Sequence, residues 1–377
     1  MLDHRYGGNS ATIKDSEIVY VKDGGCDLSE YINLEIKDKI VLFEPSKKCS
    51  LFEGSFALEK LGASAVLIST PKSAIKPSFA RVRIVDWKEG DPLMNIPVLS
   101  LTFSTFKTLL AGINNGARVD LVTNTEIKVV TTSNVICEGR AGNPNNTIVI
   151  GSHLDSVAFG PGMNDNASGS AATLEIFLQI SKMSRKKTLN NRLVFIWFGS
   201  EEDGLLGSRH FVRELQKSSS PHESHVRLEQ IALNLNFDMI ASPNYIPMIH
   251  NGSDAPSSAR CGSIVVQRMF EKYFKKVADR KYKITDMVAG SDFVPFMNAG
   301  IPTGGILTGA SEIKNEEERI LYGGIANAQL DPCYHKDCDT INNVNEEALG
   351  LMSKGAMYTI SNFAQIKDLR NQLAKCS

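Results

Sequence analysis

The strongest constraint on the fold is an alternation of strand-like and helix-like segments between residues 123 and 377. The run at residues 191–198, NRLVFIWF, is almost continuously apolar, which is typical of a strand buried on both faces of a sheet. Strands that alternate with helices indicate a mostly parallel sheet with helices on both faces. We therefore predict an α/β fold for residues 123–377.

Residues 16–122 have a different pattern, in which short Val- and Ile-rich runs are separated by turns. Five runs predict strands: SEIVYV, DKIVLFE, ASAVLIS, NIPVLSL and RVDLVT. Two segments, SLFEGSFALEKLG and TFSTFKTLLAGI, predict amphipathic helices. The pattern indicates a small β-rich domain, preceded by a polar N-terminal remnant at residues 1–15. It holds no cluster of histidines and carboxylates, so we assign it no catalytic role.

Charge and hydropathy argue against several classes of partner. The 377 residues carry a formal net charge of -1 and are 42% hydrophobic and 22% charged, which is ordinary for a globular protein. Without a basic excess or an apolar run of about 18 residues, we predict neither nucleic-acid binding nor a membrane span. The first residues lack the apolar segment of a signal peptide. We expect a monomer.

The chain has seven cysteines, an odd number. Cys333 and Cys338 lie close together in DPCYHKDC, and we expect them to close a small disulfide loop, which favours an oxidising compartment. Cys26 and Cys49 are a second candidate pair. The other three are scattered, and such cysteines are more often buried apolar residues than reactive thiols: Cys137, Cys261 and Cys376. A fully reduced set in a cytosolic protein is the alternative.

Residue types that bind metals follow several of the predicted strands of the α/β region. They comprise two histidines and five carboxylates: His153, Asp155, Asp165, Glu201, Glu202, Asp238 and His335. Sites in parallel sheets form at the carboxyl ends of the strands. We therefore expect all seven side chains on one rim of the sheet.

Each of these motifs also has a structural explanation when taken alone. A single His-x-Asp is common at surfaces, the acidic residues of SEEDG suit a helix N-terminus, and NDNASG suits a turn followed by a helix cap. For the whole set to be structural, all of these independent explanations would have to apply at corresponding strand ends. The set as a whole therefore favours a functional site. Histidine nitrogens and carboxylate oxygens suit zinc. One carboxylate can bridge two metal ions, and an unliganded one can accept a proton from water.

Five motifs together carry a family resemblance: GSHLDSV…GPGMNDNASG, SEEDGLLGS, NFDMI, SDFVPF…GIPTGGILTG and DPCYHKDCDT. In order and spacing they resemble the zinc aminopeptidases of peptidase family M28, over roughly residues 130–360. The resemblance implies five ligands for two Zn²⁺ ions per chain: His153 and Asp238 for one ion, Glu202 and His335 for the other, and Asp165 as the bridge. It also implies that Glu201 is the general base and acid and that Asp155 orients His153.

The same resemblance implies a reaction. The N-terminal residue of a peptide with a free α-ammonium group is hydrolysed by a two-zinc, bridging-water mechanism, with leucine-like residues preferred. Five residues are candidate substrate contacts: Met239, Ile240, Phe293, Phe296 and Tyr334. Core packing is the alternative for the four apolar ones. Tyr334 or the metals would stabilise the oxyanion, because the loop at Ser311 and Glu312 lacks the tyrosine that some relatives place there.

The β-rich region has a likeness of its own. The segment DKIVLFEPSKKCSLFEGSFALEKLGASAVLIS is similar to the protease-associated domain that many secreted or vacuolar members insert into the peptidase, with a departure at Glu53 and Gly54. This implies a secreted location or a vacuolar or lysosome-like lumen. In the family, helices and a strand precede the insertion. Only about 15 residues do so here, so we expect that part of the peptidase domain is missing.

Three other functions use related sequences. Carboxypeptidases of the glutamate-releasing type need a cationic pocket, for which Arg209 is the nearest candidate. Glutaminyl cyclases hold a single zinc, and the full two-metal set argues against them. Non-catalytic binding ectodomains have lost metal ligands, whereas every expected ligand is present here.

Overall fold

The computed structural model of the chain describes residues 2–3, 8, 10–24, 27–31, 33–45, 50–69, 93–125, 130–184, 189–217, 226–287 and 290–376. The chain divides into two units, Met1–Thr131 and Thr132–Ser377. We call them the N-terminal unit and the C-terminal unit and describe each by itself.

The N-terminal unit is built on one sheet. Its elements are, in chain order, β1 (Leu2–Asp3), β2 (Ala11–Gly24), β3 (Ile40–Pro45), α1 (Leu51–Lys60), β4 (Ala65–Ser69), β5 (Val98–Leu101), α2 (Phe103–Ile113) and β6 (Arg118–Thr123). The described strands pair in the order β1-β5-β4-β3-β2-β6. The four strands from β2 to β5 run parallel, and β1 and β6 are antiparallel at the edges. All five predicted strands and both predicted helices are confirmed.

Strand β2 extends further than the apolar run from which it was predicted. Its residues Ala11 and Thr12 pair with Thr123 and Val122 of β6. Residues 11–15, predicted as part of a separate remnant, therefore belong to the sheet of the N-terminal unit. Backbone pairing with β6 extends the strand there, and such pairing leaves no apolar pattern in the sequence.

The C-terminal unit contains more elements. They are, in chain order, β7 (Val135–Glu138), β8 (Asn143–His153), α3 (Gly169–Ser184), β9 (Asn191–Phe198), α4 (Leu206–Gln216), β10 (Ile231–Phe237), β11 (Met248–His250), α5 (Ser257–Tyr273), β12 (Lys283–Thr285), α6 (Phe293–Asn298), β13 (Thr303–Leu307), β14 (Ile313–Lys314), α7 (Glu316–Tyr322), β15 (Ala328–Gln329), α8 (Glu346–Gln365) and α9 (Leu369–Leu373). The strand predicted to begin near residue 127 begins at Val135, and residues 126–129 lie outside the described residues.

Short helical turns complete both units. The 3-10 turns are Leu28–Tyr31, Leu228–Gln230, Gly252–Asp254 and Ile341–Asn343, and the π-helical turns are Met163–Ser168 and Phe274–Ala278.

The main sheet of the C-terminal unit is mostly parallel, as predicted. Its order is β12-β11-β13-β10-β8-β9-β7. The four central strands β13, β10, β8 and β9 run parallel, whereas β11 is antiparallel to β13 and β7 to β9. The carboxyl ends of the central strands therefore meet at one edge of the sheet.

Helices cover both faces of this sheet. On β9, Phe195 and Trp197 pack with residues of α3, α5 and α8. Their neighbours Ile196 and Phe198 point to the opposite face and pack with residues of α4 and α6. Successive side chains of a strand alternate between its faces, so the continuous apolar run of β9 is buried on both sides.

Two disulfides close loops in the C-terminal unit. Cys333 and Cys338 are bonded to each other, with an S–S distance of 2.07 Å. Cys261 and Cys376, expected to be isolated, are also bonded, so that expectation is wrong. They lie 115 residues apart, and a pairing over that distance has no spacing signature. Cys137 is a free cysteine, and Cys26 and Cys49 lie outside the described residues.

No helix in the described part of the chain is both long enough and apolar enough to cross a bilayer.

Candidate metal centre

The predicted ligands meet at the carboxyl edge of the main sheet. Strand β8 ends in His153, and the π-helical turn that precedes α3 carries Asp165. Glu202 follows β9, Asp238 immediately follows β10, and His335 lies between β15 and α8. Because β10 and β8 are neighbouring parallel strands, their ends place His153 and Asp238 side by side, and the segments that carry Asp165, Glu202 and His335 complete the set.

The side chains form two groups that share one residue. In the first group, His153 Nε2 lies 3.2 Å from Asp238 Oδ1 and 3.3 Å from Asp165 Oδ1. In the second, His335 Nε2 lies 3.1 Å from both Asp165 Oδ2 and Glu202 Oε1. Asp165 thus presents one carboxylate oxygen to each group, which is the geometry of a bridging ligand.

The donor set fits two neighbouring divalent cations. Each group offers one imidazole nitrogen and two carboxylate oxygens, and within each group the donor atoms lie within 4.8 Å of one another. The shared carboxylate and the His153 ring are buried. Carboxylates removed from water need a compensating positive charge, and this mixture of nitrogen and oxygen donors suits zinc.

The pKa values show how strongly the groups attract positive charge. Burial lowers the pKa of His335, but its hydrogen bonds to Asp165 and Glu202 raise it to about 9. Burial also lowers the pKa of His153, but Asp238, Asp155 and Asp165 raise it well above its usual value. Burial raises the pKa of Asp165, and the two histidines bring it below its ordinary value. A cation bound by each group would replace the proton on the Nε2 atom of its histidine.

Asp155 contacts His153 through its backbone and the Glu201–Glu202 turn through its side chain. The His153 Nδ1–H donates to the backbone carbonyl of Asp155 at 2.9 Å, whereas the Asp155 carboxylate lies 3.7 Å from the same nitrogen. That carboxylate accepts the backbone N–H groups of Glu201 and Glu202, at 2.9 and 3.1 Å. Asp155 therefore orients His153 through its backbone and holds the Glu201–Glu202 turn through its side chain.

Glu201 lies beside the two groups without belonging to either of them. It is 9% exposed. Burial raises the pKa of its carboxyl well above the ordinary value, and the nearby carboxylates of Asp238, Asp292 and Glu202 add to this, while His153 opposes it. A carboxyl group with a raised pKa next to a metal site is suited to accept and return a proton.

The loop that carries Asp165 depends on a glycine and an asparagine. Gly162 has φ +66°, and a Cβ there would lie 2.4 Å from Ser156 Cβ and 2.6 Å from Asp165 O. Asn166 donates to Phe237 O and accepts the backbone N–H groups of Gly169 and Met239. The Asp165–Asn166 peptide bond is cis.

The five predicted substrate contacts lie in different environments. Ile240 and Phe296 are fully buried, and the Phe296 ring packs between those of Phe198 and Phe211. These two residues belong to the core, so they do not line a substrate pocket. Ile240 follows β10 and packs in the core on one face of the sheet, and Phe296 lies in α6, which packs on the opposite face.

Two of the other three predicted contacts, Met239 and Tyr334, are chain neighbours of predicted ligands, and Phe293 lies in a buried apolar cluster. Met239 follows Asp238, is 7% exposed and has φ +50°. Phe293 is 2% exposed and packs against the ring of His250, with ring centroids 4.8 Å apart. Tyr334 is partly exposed and stacks on His335, with ring centroids 3.8 Å apart.

Sequence reasoning missed three polar residues beside the site. Ser291 Oγ donates to Asp238 Oδ2 at 2.7 Å. Asp292 is fully buried, and burial raises its pKa to about 7. His250 ends β11, and burial lowers its pKa to about 4 although Asp238 opposes this. The sequence signal for His250 was the one used for His153, a histidine directly after an apolar strand.

Together, the mostly parallel sheet and the two ligand groups at its carboxyl edge define an α/β protein with a candidate two-metal centre. Residues 134–360 match the sequence model of peptidase family M28. The chain belongs to this family.

Relatives and solved structures agree with this assignment. The chain is 35% identical over 341 residues to an aminopeptidase of Pseudomonas aeruginosa, covering 89% of this chain and 60% of that protein. It is 31% identical over 354 residues to a probable leucine aminopeptidase 2 of Aspergillus fumigatus, covering 93% and 67%. The chain thus spans about 60% of the length of the bacterial relative.

Solved structures have the same fold at lower sequence identity. An aminopeptidase from Aneurinibacillus sp. strain AM-1 superposes with a TM-score of 0.66 at 22% identity, covering 95% of this chain and 76% of that one. A zinc aminopeptidase from Bacillus subtilis superposes with a TM-score of 0.62 at 21% identity, with the same coverages.

Proposed function

We propose that the chain is a zinc-dependent aminopeptidase that releases the N-terminal residue of peptides, with a preference for leucine-like residues. The observation that carries the proposal is the pair of ligand groups that share Asp165, with the carboxyl of Glu201 free of both. The names of the relatives, aminopeptidase and probable leucine aminopeptidase, support the reaction and the preference.

Five residues would hold two Zn²⁺ ions. His153 and Asp238 would bind one ion, Glu202 and His335 the other, and Asp165 both. When bound, the two ions would supply Lewis-acid polarisation of the scissile carbonyl and would increase the acidity of water.

Glu201 is the proton carrier in this proposal. Its carboxylate takes a proton from the attacking water and passes it to the nitrogen of the leaving amine. Burial and neighbouring carboxylates raise the pKa of Glu201 towards neutral pH. A pKa near the working pH favours both the uptake and the release of the proton. The Asp155 carboxylate positions Glu201 through the backbone of the turn.

The negative charge of the site explains why a free N-terminus is needed. The carboxylates of Glu201 and Asp238 would bind the α-ammonium group of the substrate, so that only the first peptide bond reaches the metals. Tyr334 is the candidate oxyanion donor. Burial and the surrounding carboxylates raise the pKa of its phenol above the ordinary value, so the hydroxyl keeps the proton that it must donate.

We also propose that the N-terminal unit is a non-catalytic protease-associated domain and that the protein acts as a monomer outside the cytosol. The parallel strands and two helices of this unit support the domain assignment. The two disulfides among the described residues support an oxidising compartment.

The test combines metal analysis with peptidase assays on the full chain. We expect about two zinc ions per chain and hydrolysis of leucyl-p-nitroanilide that is lost on chelation and restored by zinc. Glu201→Gln should lower kcat by about 10²–10⁴-fold with zinc content unchanged. Glu317→Gln, an exposed glutamate of α7, is the matched control and should behave as wild type.

Other outcomes would assign the chain elsewhere in the fold family. Release of residues from the C-terminus of an N-blocked peptide would indicate a carboxypeptidase. One zinc ion with cyclisation of N-terminal glutamine would indicate a glutaminyl cyclase. Two zinc ions without turnover of any peptide would indicate a binding protein. Each of these results contradicts the aminopeptidase proposal.

A further inference from the structure

Four buried polar side chains link the loop that carries Asp165 to the loop that carries His335. All four are nearly or fully shielded from solvent: Asn164, Asp331, Asp339 and Asn343. None of them is a metal ligand in the proposed function. We call these four residues the loop-linking network.

Asp339 holds the backbone of the shared ligand. Its Oδ1 accepts the backbone N–H of Asn164 at 2.9 Å, and its Oδ2 accepts the backbone N–H of Asp165 at 3.1 Å. One carboxylate thus receives two successive N–H groups, which restricts both the position and the tilt of the peptide from which the Asp165 side chain departs. A backbone shift there would move both Asp165 oxygens at once.

Asn343 joins Asp339 to the other loop. Its Nδ2 donates to Asp339 Oδ1 at 3.0 Å and to Asp331 Oδ1 at 2.9 Å. Asp331 Oδ1 also accepts the backbone N–H of Cys333 at 2.8 Å, and Asp331 Oδ2 accepts Asn164 Nδ2 at 2.7 Å. The network therefore contacts both the start of the His335 loop and the Asp165 loop.

The position of the two aspartates along the chain adds to this argument. Asp331 precedes the Cys333–Cys338 disulfide loop and Asp339 follows it. The loop that presents His335 is therefore fixed at both ends by carboxylates that also bond to the Asp165 loop. Each carboxylate accepts three N–H groups, which offsets the cost of burying two negative charges.

We propose that Asp339 is a positioning residue that places Asp165 for both metal groups, and that Asn343 couples this placement to the His335 loop. The inference rests on the proposed function, because it takes the two groups to be zinc sites. A bridging carboxylate must present each oxygen to a different ion, so its supports set both sites. A change at Asp339 should therefore weaken both binding events, whereas a change at His335 should weaken one.

The experiment is a titration of metal into the chelator-stripped full chain. Zn²⁺ binding is measured by calorimetry, and the ligand geometry is followed by the visible absorption of bound Co²⁺. For Asp339→Asn we expect about 10–100-fold weaker binding in both events and a changed Co²⁺ spectrum. For His335→Ala we expect the loss of one event only. Asp337→Asn is the control, because it removes the same charge from an exposed position in the same loop, and it should stay within about 2-fold of wild type.

A second variant covers the case in which Asp339→Asn does not fold. Asn343→Ala keeps both carboxylates and removes only the amide that joins them, and we expect about 10-fold weaker zinc binding, the lower end of the range for outer-shell partners. Wild-type affinities and Co²⁺ spectra in the folded variants would overturn the inference, even if their thermal stability fell, because the network would then support only the fold. In that case the proposed function would stand. A wild-type chain that binds no zinc would overturn both.

Discussion

The two candidate metal groups share Asp165 but are supported in different ways. His153 and Asp238 lie at the ends of the paired strands β8 and β10, and the side chain of His153 is 1% exposed. The side chain of His335 is 32% exposed and lies in a disulfide-closed loop. A strand-end ligand is placed by the sheet, whereas a loop ligand needs supports of its own. We call the two groups the strand-end group and the loop group.

Backbone conformation shows the same difference. His153 lies in regular strand, while His335 has φ +57°, a region that costs a non-glycine residue of order 1–3 kcal/mol at a constrained site. The disulfide closes this loop, and the loop-linking network contacts it at both ends. The loop group should therefore be the more easily lost of the two.

The largest expected effect is the loss of both groups at once. Asp165→Asn keeps the size of the side chain and removes the charge that the groups share. We expect both Zn²⁺ binding events to weaken by at least about 100-fold, beyond the usual effect of an outer-shell change, and hydrolysis to disappear. Calorimetry and atomic emission on the purified variant measure this. Retention of one full-strength site would show that the groups are independent.

Removal of one histidine at a time separates the groups. His153→Ala and His335→Ala should each eliminate one binding event. His153→Ala should also destabilise the metal-free protein by about 3 kcal/mol, because it leaves buried carboxylates without their partner. His335→Ala should destabilise the protein less, because the His335 side chain is 32% exposed and water can take its place beside the carboxylates of Asp165 and Glu202. Urea denaturation in chelator compares them, and equal destabilisation would contradict the distinction between strand-end and loop ligands.

The disulfides provide a further test. Replacing Cys333 and Cys338 by serine should weaken Zn²⁺ binding at the loop group about 10-fold and leave binding at the strand-end group unchanged. Replacing Cys261 and Cys376 is the matched control. That bond closes a loop of 115 residues, so its loss should lower stability by about 2–4 kcal/mol without altering metal affinity. Equal metal affinity in both double variants would show that the loop group does not need its disulfide.

The last prediction concerns pH and a histidine beside the strand-end group. Burial lowers the pKa of His250 to about 4, below the value of about 6.5 for the unfolded chain. The unfolded state therefore binds the proton first, and stability falls as the pH drops from 6.5 towards 4, by roughly 3 kcal/mol. His250→Gln should reduce this loss in the metal-free protein.

Urea unfolding in chelator at pH 6.5, 5 and 4 measures the effect of His250→Gln. The exposed His210→Gln is the control and should retain the wild-type slope. An identical pH dependence in wild type and His250→Gln would show that His250 is not held neutral by burial.

Much of the fold followed from local patterns. The apolar run of β9, the alternation of strands with helices, and the histidine and acids at strand ends are all properties of short segments. The carboxyl ends of parallel strands meet at one edge of a sheet, so the sequence alone predicts that His153 and Asp238 lie near each other.

Several features had no local signature. The Cys261–Cys376 bond joins residues 115 positions apart, and Asp339 accepts the backbone N–H of Asp165 across 174 positions. Phe296 was proposed as a substrate contact, yet it packs against Phe198 and Phe211. An apolar side chain has the same appearance in a sequence whether it faces a pocket or a core.

The class of fold, the residue types of the candidate metal centre and their order along the chain could be predicted from the sequence, because they depend on periodicity and on the chemistry of single side chains. Which oxygen of Asp165 faces which histidine depends on the folded chain. The same is true of the Asp155 carboxylate, which accepts the backbone N–H groups of Glu201 and Glu202, and of the buried network that joins the two ligand loops. Hydrogen bonds between distant segments depend on distances of a few tenths of an ångström, which only the folded chain sets.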